Sequence, residues 1–238
     1  MLVVTGTGTG VGKTVVTAAI AALARQAGRR VAVLKPAQTG VSPGQEGDLA
    51  EVVRLAGEVT TSELRRYPDP LSPEAAARRS GIPALGPAEA AAAAADLDRT
   101  HDLVLIEGAG GLLVRFSEDG TGLADVAWAL GALVLVVAEA GLGTLNATAL
   151  TAEVATARGL HVAGVVIGSW PTRPGLAALS NVTDLPVAAG APLLGVLPEG
   201  MGTLDRGRFR EEARRGLSPW FGGEFDAERF EKEASSAL

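Results

Sequence analysis

A run of glycines and threonines near the start of the chain has the composition of a phosphate-binding loop. Residues 5–14 read Thr-Gly-Thr-Gly-Thr-Gly-Val-Gly-Lys-Thr, between the apolar run Leu2–Val4 and a stretch of helical composition. Glycines let backbone N–H groups turn towards phosphate oxygens, and a following helix offers its positive N-terminal end. Lys13 would then reach the outer phosphates, and the Thr14 hydroxyl would bind Mg²⁺. Only the first glycine departs, by one residue, from the spacing G-x-x-x-x-G-K-[ST], so the sequence predicts a nucleotide-binding loop.

Four further polar segments lie at the ends of apolar runs or at the starts of helical stretches. They are Lys-Pro-Ala-Gln-Thr-Gly at 35–40, Asp48, Glu-Gly-Ala-Gly-Gly at 107–111 and Gly-Leu-Gly-Thr-Leu-Asn at 141–146. An acid at a strand end can hold Mg²⁺, and glycines permit close backbone approach to a ligand. Taken singly, each segment is weak evidence for a binding site, because a solvated strand end or a helix cap also explains it.

The elements that would position these segments alternate regularly along the chain. Apolar runs of strand length occur at 2–5, 31–34, 103–106, 133–138, 162–167 and 193–197, and Ala-rich helical stretches at 14–27, 48–56, 87–98 and 144–158. Runs buried on both faces that alternate with helices predict an α/β fold with a doubly wound, mostly parallel sheet. Ligands bind outside the carboxyl ends of such strands, where the polar segments fall. We predict one domain over 1–222 and a charged C-terminal tail or helix over 223–238.

Composition excludes several classes of protein. The net charge of −6 gives no basic surface for nucleic acid or an anionic membrane. Cysteine is absent, which excludes disulfides, thiolate metal sites and a cysteine nucleophile. No leader pattern opens the chain, and no apolar stretch approaches the ~20 residues of a membrane span. The sequence therefore predicts a cytoplasmic protein with small-molecule partners.

The order of these motifs resembles that of the dethiobiotin synthetase family. The loop, Lys-Pro-x-x-[ST]-Gly, Asp48, Glu-Gly-Ala-Gly-Gly and Gly-Thr-x-Asn follow one another over about residues 1–220. The resemblance implies a P-loop NTPase-like fold and an ATP- and Mg²⁺-dependent ligase. The implied reaction carboxylates 7,8-diaminopelargonic acid with CO₂ from bicarbonate and closes a ureido ring, giving dethiobiotin, ADP and phosphate in the synthesis of biotin.

Roles for individual residues follow from the same resemblance. Lys13 and Lys35 would flank the substrate carbamate as catalytic residues, and Thr14, Asp48 and Glu107 would hold Mg²⁺. The implied nucleotide contacts are Thr9, Gly10, Val11, Gly12, Lys13, Thr14, Asp48, Glu107, Gly108, Ala109, Gly110, Gly168, Ser169, Pro198, Glu199 and Gly200. The implied substrate contacts are Thr9, Lys35, Thr39 and Gly110, joined by Gly143, Thr144, Leu145 and Asn146 from the second subunit of a homodimer.

Two positions depart from the family's usual pattern. Gly10 stands where the family often has an acid, and Gly168-Ser169 stands where it often has an Asn-Asp pair that reads the base. A base site without buried side-chain partners discriminates weakly. We therefore expect ATP or another nucleoside triphosphate to serve as co-substrate.

Three other interpretations share the loop. A switch ATPase like ParA or MinD predicts a signature lysine early in the loop, where this chain has Gly8. An amidoligase of the cobyrinic acid synthase type needs a glutaminase domain with a cysteine, and the chain has none. A nucleotide-binding module without chemistry would not need Lys35 and Glu107 together.

Overall fold

A single parallel sheet of seven strands organises the chain. The computed structural model describes residues 1–238. The strands are β1 Leu2–Gly6, β2 Val31–Thr39, β3 Thr60–Tyr67, β4 Leu103–Gly111, β5 Leu133–Ala138, β6 Val162–Trp170 and β7 Leu193–Pro198. The helices are α1 Lys13–Gln26, α2 Asp48–Ala56, α3 Pro73–Ser80, α4 Pro87–Asp98, α5 Leu123–Leu130, α6 Thr144–Ala157, α7 Leu176–Ala189, α8 Arg206–Gly216 and α9 Ala227–Ser236. The predicted α/β fold class is confirmed.

The spatial order of the strands is β3-β2-β4-β1-β5-β6-β7, and every neighbouring pair is parallel. The first strand is therefore central, with β4 on one side and β5 on the other. The chain runs towards one edge of the sheet after β1 and towards the other edge after β4, so the order reverses at the centre. Ligand crevices form at such a reversal, and here it coincides with the glycine-rich loop.

The core consists of two apolar layers, one on each face of the sheet. Aliphatic side chains and alanines make up most of both layers, and α1 alone buries five alanines. Small side chains let helices approach the sheet closely, and the aliphatic strands are covered on both faces. No helix is both long and apolar enough to cross a membrane.

Several elements lie outside the predicted runs. The strands β2, β4 and β6 continue beyond their apolar runs into polar residues, because the sheet still pairs or buries those ends. The edge strand β3 reads Thr-Thr-Ser-Glu-Leu-Arg-Arg-Tyr and pairs only with β2. The helices α3, α5, α7 and α8 were also absent from the prediction, whereas α9 lies in the segment predicted as a tail or helix.

The C-terminal segment forms helix α9, which packs on α7 and β7. Its Phe230 ring lies edge-on to the ring of Trp170 with centroids 5.1 Å apart, and Phe225 and Ala234 are buried. The segment is thus attached to the end of β6. The division of the chain at residue 222 stays a prediction.

Candidate active site at the central strand

The loop between β1 and α1 has backbone geometry that only glycine adopts readily. Gly10 and Gly12 have φ values of 80° and 95°, in the left-handed region that side chains with a Cβ disfavour. Gly12 is the N-cap of α1, so the first free N–H groups of the helix face the loop. Lys13 begins the helix and donates a hydrogen bond from Nζ to the carbonyl of Gly8 at 2.8 Å. This geometry is that of a phosphate-binding loop.

The loop rests directly on the end of β6. A Cβ at Gly168 would lie 2.1 Å from the carbonyl oxygen of Val11, and a Cβ at Gly12 would lie 2.7 Å from that of Gly168. The Thr7 N–H also donates to the carbonyl of Val137 in β5 at 2.9 Å. Two strands besides β1 therefore support the loop, and Gly168 has no space for a side chain.

Four charged or polar side chains from four elements meet beside the loop. The Lys35 ammonium lies 2.5 Å from Asp48 Oδ2 and 2.7 Å from Glu107 Oε1. Thr14 donates from Oγ1 to the same Glu107 oxygen at 2.9 Å. Lys35 and Glu107 are only 3% and 1% exposed, whereas Asp48 is 36% exposed. Lys13 is also buried, so two ammonium groups and two carboxylates share one largely buried site.

Asp48 reaches this site because Gln38 holds the start of α2. The Gln38 side chain accepts a hydrogen bond at Oε1 from the Asp48 backbone N–H at 2.9 Å. Gly47 is the N-cap of α2, so Asp48 is the first helical residue and its carboxylate is free to pair with Lys35. Gln38 was not among the predicted site residues; its place within the Lys-Pro-Ala-Gln-Thr-Gly segment was the only signal.

Burial and charge shift the pKa values of the two lysines in opposite directions. Burial lowers the pKa of Lys13, and the nearby charge of Lys35 lowers it further. Burial also acts to lower the pKa of Lys35, but the carboxylates of Glu107 and Asp48 outweigh it and raise the pKa above its usual value. Lys35 is therefore held firmly in its cationic form.

These residues line a cavity of about 600 Å³. Of the predicted site residues, the structure brings into this cavity Thr9, Gly10, Gly12, Lys13, Thr14, Lys35, Thr39, Asp48, Glu107, Gly108, Ala109 and Gly110. A further wall is formed by Pro70-Leu71-Ser72-Pro73, which runs from the connection after β3 to the first residue of α3. Sequence reasoning missed this wall because an isolated Pro-Leu-Ser-Pro segment is also typical of an ordinary loop.

The remaining predicted residues lie outside this cavity. Ser169 lines a neighbouring cleft together with Gly10 and Val11, while Pro198, Glu199 and Gly200 line a depression near α8. The Glu199 carboxylate accepts hydrogen bonds from the backbone N–H and the hydroxyl of Thr172, which lower its pKa. The turn from Gly143 to Asn146 starts α6 and lines none of these three depressions. Base and second-subunit contacts therefore stay predictions.

The donor set suits a hard divalent cation. Glu107 Oε2 is buried and has no hydrogen-bond partner, which leaves one carboxylate oxygen unsatisfied. Thr14 Oγ1 donates a hydrogen bond to the other oxygen of the same carboxylate. The Asp48 carboxylate lies nearby, because it pairs with the same Lys35 ammonium as Glu107 does. Carboxylate and hydroxyl oxygens beside bound phosphates are typical Mg²⁺ ligands.

The parallel sheet and the glycine-rich loop between its central strand and α1 define a P-loop NTPase of the α/β class. The AAA domain family model matches residues 1–202. The structure is similar to the cell-division protein MinD complexed with Mg-ADP from Pyrococcus horikoshii, with a TM-score of 0.51, 18% identity and coverage of 99% of this chain and 94% of that one. FtsY from Thermotoga maritima gives a TM-score of 0.56 at 19% identity, with 98% and 67% covered. These likenesses show the fold alone.

Sequence comparison gives the family within this class. The ATP-dependent dethiobiotin synthetase of Saccharopolyspora erythraea is 65% identical over 223 residues, covering 94% of this chain and 97% of the relative. The enzyme of the same name from Streptomyces avermitilis is 62% identical over 231 residues, with 97% of each chain covered. The chain belongs to the ATP-dependent dethiobiotin synthetase family. The predicted resemblance is confirmed, and an enzyme of the ligase type is favoured over a MinD-like switch.

Proposed function

We propose that this chain converts 7,8-diaminopelargonic acid, CO₂ and ATP into dethiobiotin, ADP and phosphate in the cytoplasm. The observation that carries the proposal is the buried group of Lys35, Asp48 and Glu107 beside the phosphate-binding loop. A nucleotide-binding module without chemistry has no need of a buried ammonium between two carboxylates, because such a group is expensive to bury and stabilises little.

The proposed chemistry needs no nucleophile from the protein. One substrate amine takes up CO₂ and releases a proton, which forms a carbamate. A carbamate oxygen then attacks the γ-phosphorus of ATP, and ADP leaves. The second amine attacks the carbonyl carbon of the mixed anhydride, phosphate leaves with the bonding electron pair, and the five-membered ureido ring closes with loss of a proton.

The protein's part in this sequence is positioning and electrostatic stabilisation, as is general for phosphoryl transfer. Lys13, held by the Gly8 carbonyl, lies at the loop where the outer phosphates would sit. Lys35 lines the same cavity as Thr39 and Gly110 and supplies positive charge towards the carbamate. Thr14, Asp48 and Glu107 would hold Mg²⁺, which neutralises charge on the nucleotide oxygens when bound.

A homodimer with shared sites completes the proposal. The turn from Gly143 to Asn146 presents the N-terminal end of α6, which attracts a carboxylate such as the tail of the substrate. The Thr144 hydroxyl is buried without a partner, and the neighbouring Leu142 is 92% exposed. In the proposed dimer, Leu142 and this turn contact the second subunit.

The test is direct synthesis of the product. The protein is incubated with diaminopelargonic acid, ¹³C-bicarbonate, Mg²⁺ and ATP, and dethiobiotin is measured by mass. We expect one ADP for each dethiobiotin and one ¹³C in the ring. Lys35→Met is the matched control, since it keeps the length of the side chain and removes its charge. Hydrolysis of ATP at the same rate with and without diaminopelargonic acid, and no labelled product, would contradict the proposal.

A further inference from the structure

The Lys35 ammonium lies among the oxygens that are suited to a divalent cation. It is bonded to Asp48 Oδ2 at 2.5 Å, to Glu107 Oε1 at 2.7 Å and to the Gly108 carbonyl at 3.1 Å. An ammonium group has three N–H donors and no acceptor, so all three donors are in use. With 3% of its side chain exposed, Lys35 is buried and fully satisfied in this arrangement.

The ammonium and a divalent cation would compete for the same two carboxylates. Glu107 Oε1 already accepts from both Lys35 and Thr14, and Asp48 Oδ2 accepts from Lys35. A cation coordinated by these oxygens would also repel the ammonium at short range. Because of this repulsion, we expect the ammonium to leave the two carboxylates when the cation enters.

The ion pairs of Lys35 with Asp48 and Glu107 also explain how the two carboxylates stay close together without a metal. Two carboxylates brought together where one is buried and the other partly exposed repel each other and raise the free energy of the folded protein unless a positive charge lies between them. Lys35 supplies that charge. Because it lines the same cavity as Thr39 and Gly110, its flexible stem has open space beside it into which the ammonium can turn.

We propose that Lys35 is a stand-in cation, which holds Asp48 and Glu107 together in the metal-free protein and is released into the substrate cavity when a divalent cation binds. The proposal rests on the metal site of the proposed function and adds an order of events to it. Lys35 becomes available to an anionic substrate only after the cation has taken its place, so metal loading prepares the substrate site.

The composition of the chain allows the movement to be observed directly. The chain has three lysines, Lys13, Lys35 and Lys232, so protein labelled with ¹³C at lysine Cε gives three resolved lysine signals. Arginine substitutions of Lys13 and Lys232 assign them. Titration with MgCl₂ alone, and then with MgCl₂ and ADP, should shift the Lys35 signal most. Lys13 should respond mainly to ADP, and Lys232 on α9 should not respond.

A second measurement compares metal affinity between variants. Binding of Mn²⁺ without nucleotide is followed by the loss of free Mn²⁺ signal in electron paramagnetic resonance. Lys35→Met removes the competitor and should bind Mn²⁺ about tenfold more tightly than the wild type. Lys13→Met is the matched control, because Lys13 is a buried lysine of the same site whose ammonium contacts the Gly8 carbonyl instead of the carboxylates. It should change affinity by threefold at most, reflecting loss of nearby positive charge alone.

The outcomes separate this proposal from the metal site itself. If Lys35→Met binds Mn²⁺ no more tightly than Lys13→Met, or if the wild-type Lys35 signal is unmoved at saturating Mg²⁺, the stand-in role is wrong and the metal site stands. If Asp48→Asn and Glu107→Gln both bind Mn²⁺ like the wild type, the metal site is wrong as well. If Lys35→Met does not fold, the response of the wild-type Lys35 signal to Mg²⁺ still decides whether Lys35 has the stand-in role.

Discussion

Adding one methyl group behind the phosphate-binding loop should impair nucleotide binding although no residue of the loop is changed. In Gly168→Ala the new Cβ would lie 2.1 Å from the Val11 carbonyl oxygen and 2.7 Å from Val137 Cγ1. Since real Cβ atoms almost never come within 3.0 Å of a neighbour, the loop must retreat by about 0.9 Å. Misplacement of catalytic geometry by about 1 Å costs on the order of 10²-fold in rate.

The expected result is a loss of about 10²-fold in kcat/KM for ATP, with the free energy of unfolding lowered by about 1–3 kcal/mol because the contact is overpacked. Nucleotide affinity is measured by calorimetry and stability by urea unfolding. Gly202→Ala is the control, because its Cβ would meet only ordinary contacts with Glu51 Oε1 at 3.6 Å and Val15 Cγ2 at 3.7 Å. Wild-type nucleotide affinity and stability in Gly168→Ala would refute the idea that β6 determines the shape of the loop.

Other substitutions test separate parts of the site. Lys13→Met should reduce kcat by on the order of 10²-fold or more with the fold retained, since it removes charge that stabilises the transferring phosphoryl group; a wild-type kcat at saturating substrate would contradict this. Glu107→Gln should lower the free energy of unfolding by about 3 kcal/mol or more because it breaks a buried ion pair. Asp48→Asn should lower it by about 1 kcal/mol or less because the Asp48 side chain is partly exposed, and urea unfolding measures both. Initial rates with four nucleoside triphosphates should agree within about tenfold, or roughly 1.4 kcal/mol, and a preference for ATP above a hundredfold would show that groups near Ser169 read adenine. Mixing Lys13→Met with an Asn146→Ala variant should restore part of the activity through hybrid dimers; no recovery after confirmed subunit exchange would contradict the shared site.

Much of the sheet could be predicted because six of its strands are buried on both faces. Each of those strands contains a run of apolar residues, which marks it in the sequence whatever its neighbours are. The edge strand β3 lacks this signal, since its outer residues are partly exposed and may be polar without penalty. The helix α8 was missed for a related reason: Arg-Gly-Arg-Phe-Arg-Glu-Glu-Ala-Arg-Arg-Gly buries little beyond Phe209 and Ala213.

The site could be predicted as a set of residues but not as a set of contacts. The spacing of the loop marks Lys13, and the resemblance to the dethiobiotin synthetase family implies the roles of Lys35 and Glu107. Sequence alone does not show that Lys35 lies between Asp48 and Glu107. The pair of Lys35 with Glu107 joins residues 72 positions apart and depends on the register of neighbouring strands.

The central position of β1 has a consequence for how the chain becomes active during its synthesis. The strand that carries the nucleotide loop is translated before both of its neighbours in the sheet, which begin at residues 103 and 133. Translation proceeds from the N-terminus at about 5–20 residues per second, so β1 waits unpaired until β4 is made and lacks its second neighbour until more than half of the chain is made. During that interval the loop has no strand to rest on and nucleotide cannot stabilise the nascent chain. A ribosome that stalls before β4 emerges therefore presents an apolar, unpaired strand, which is a substrate for chaperones.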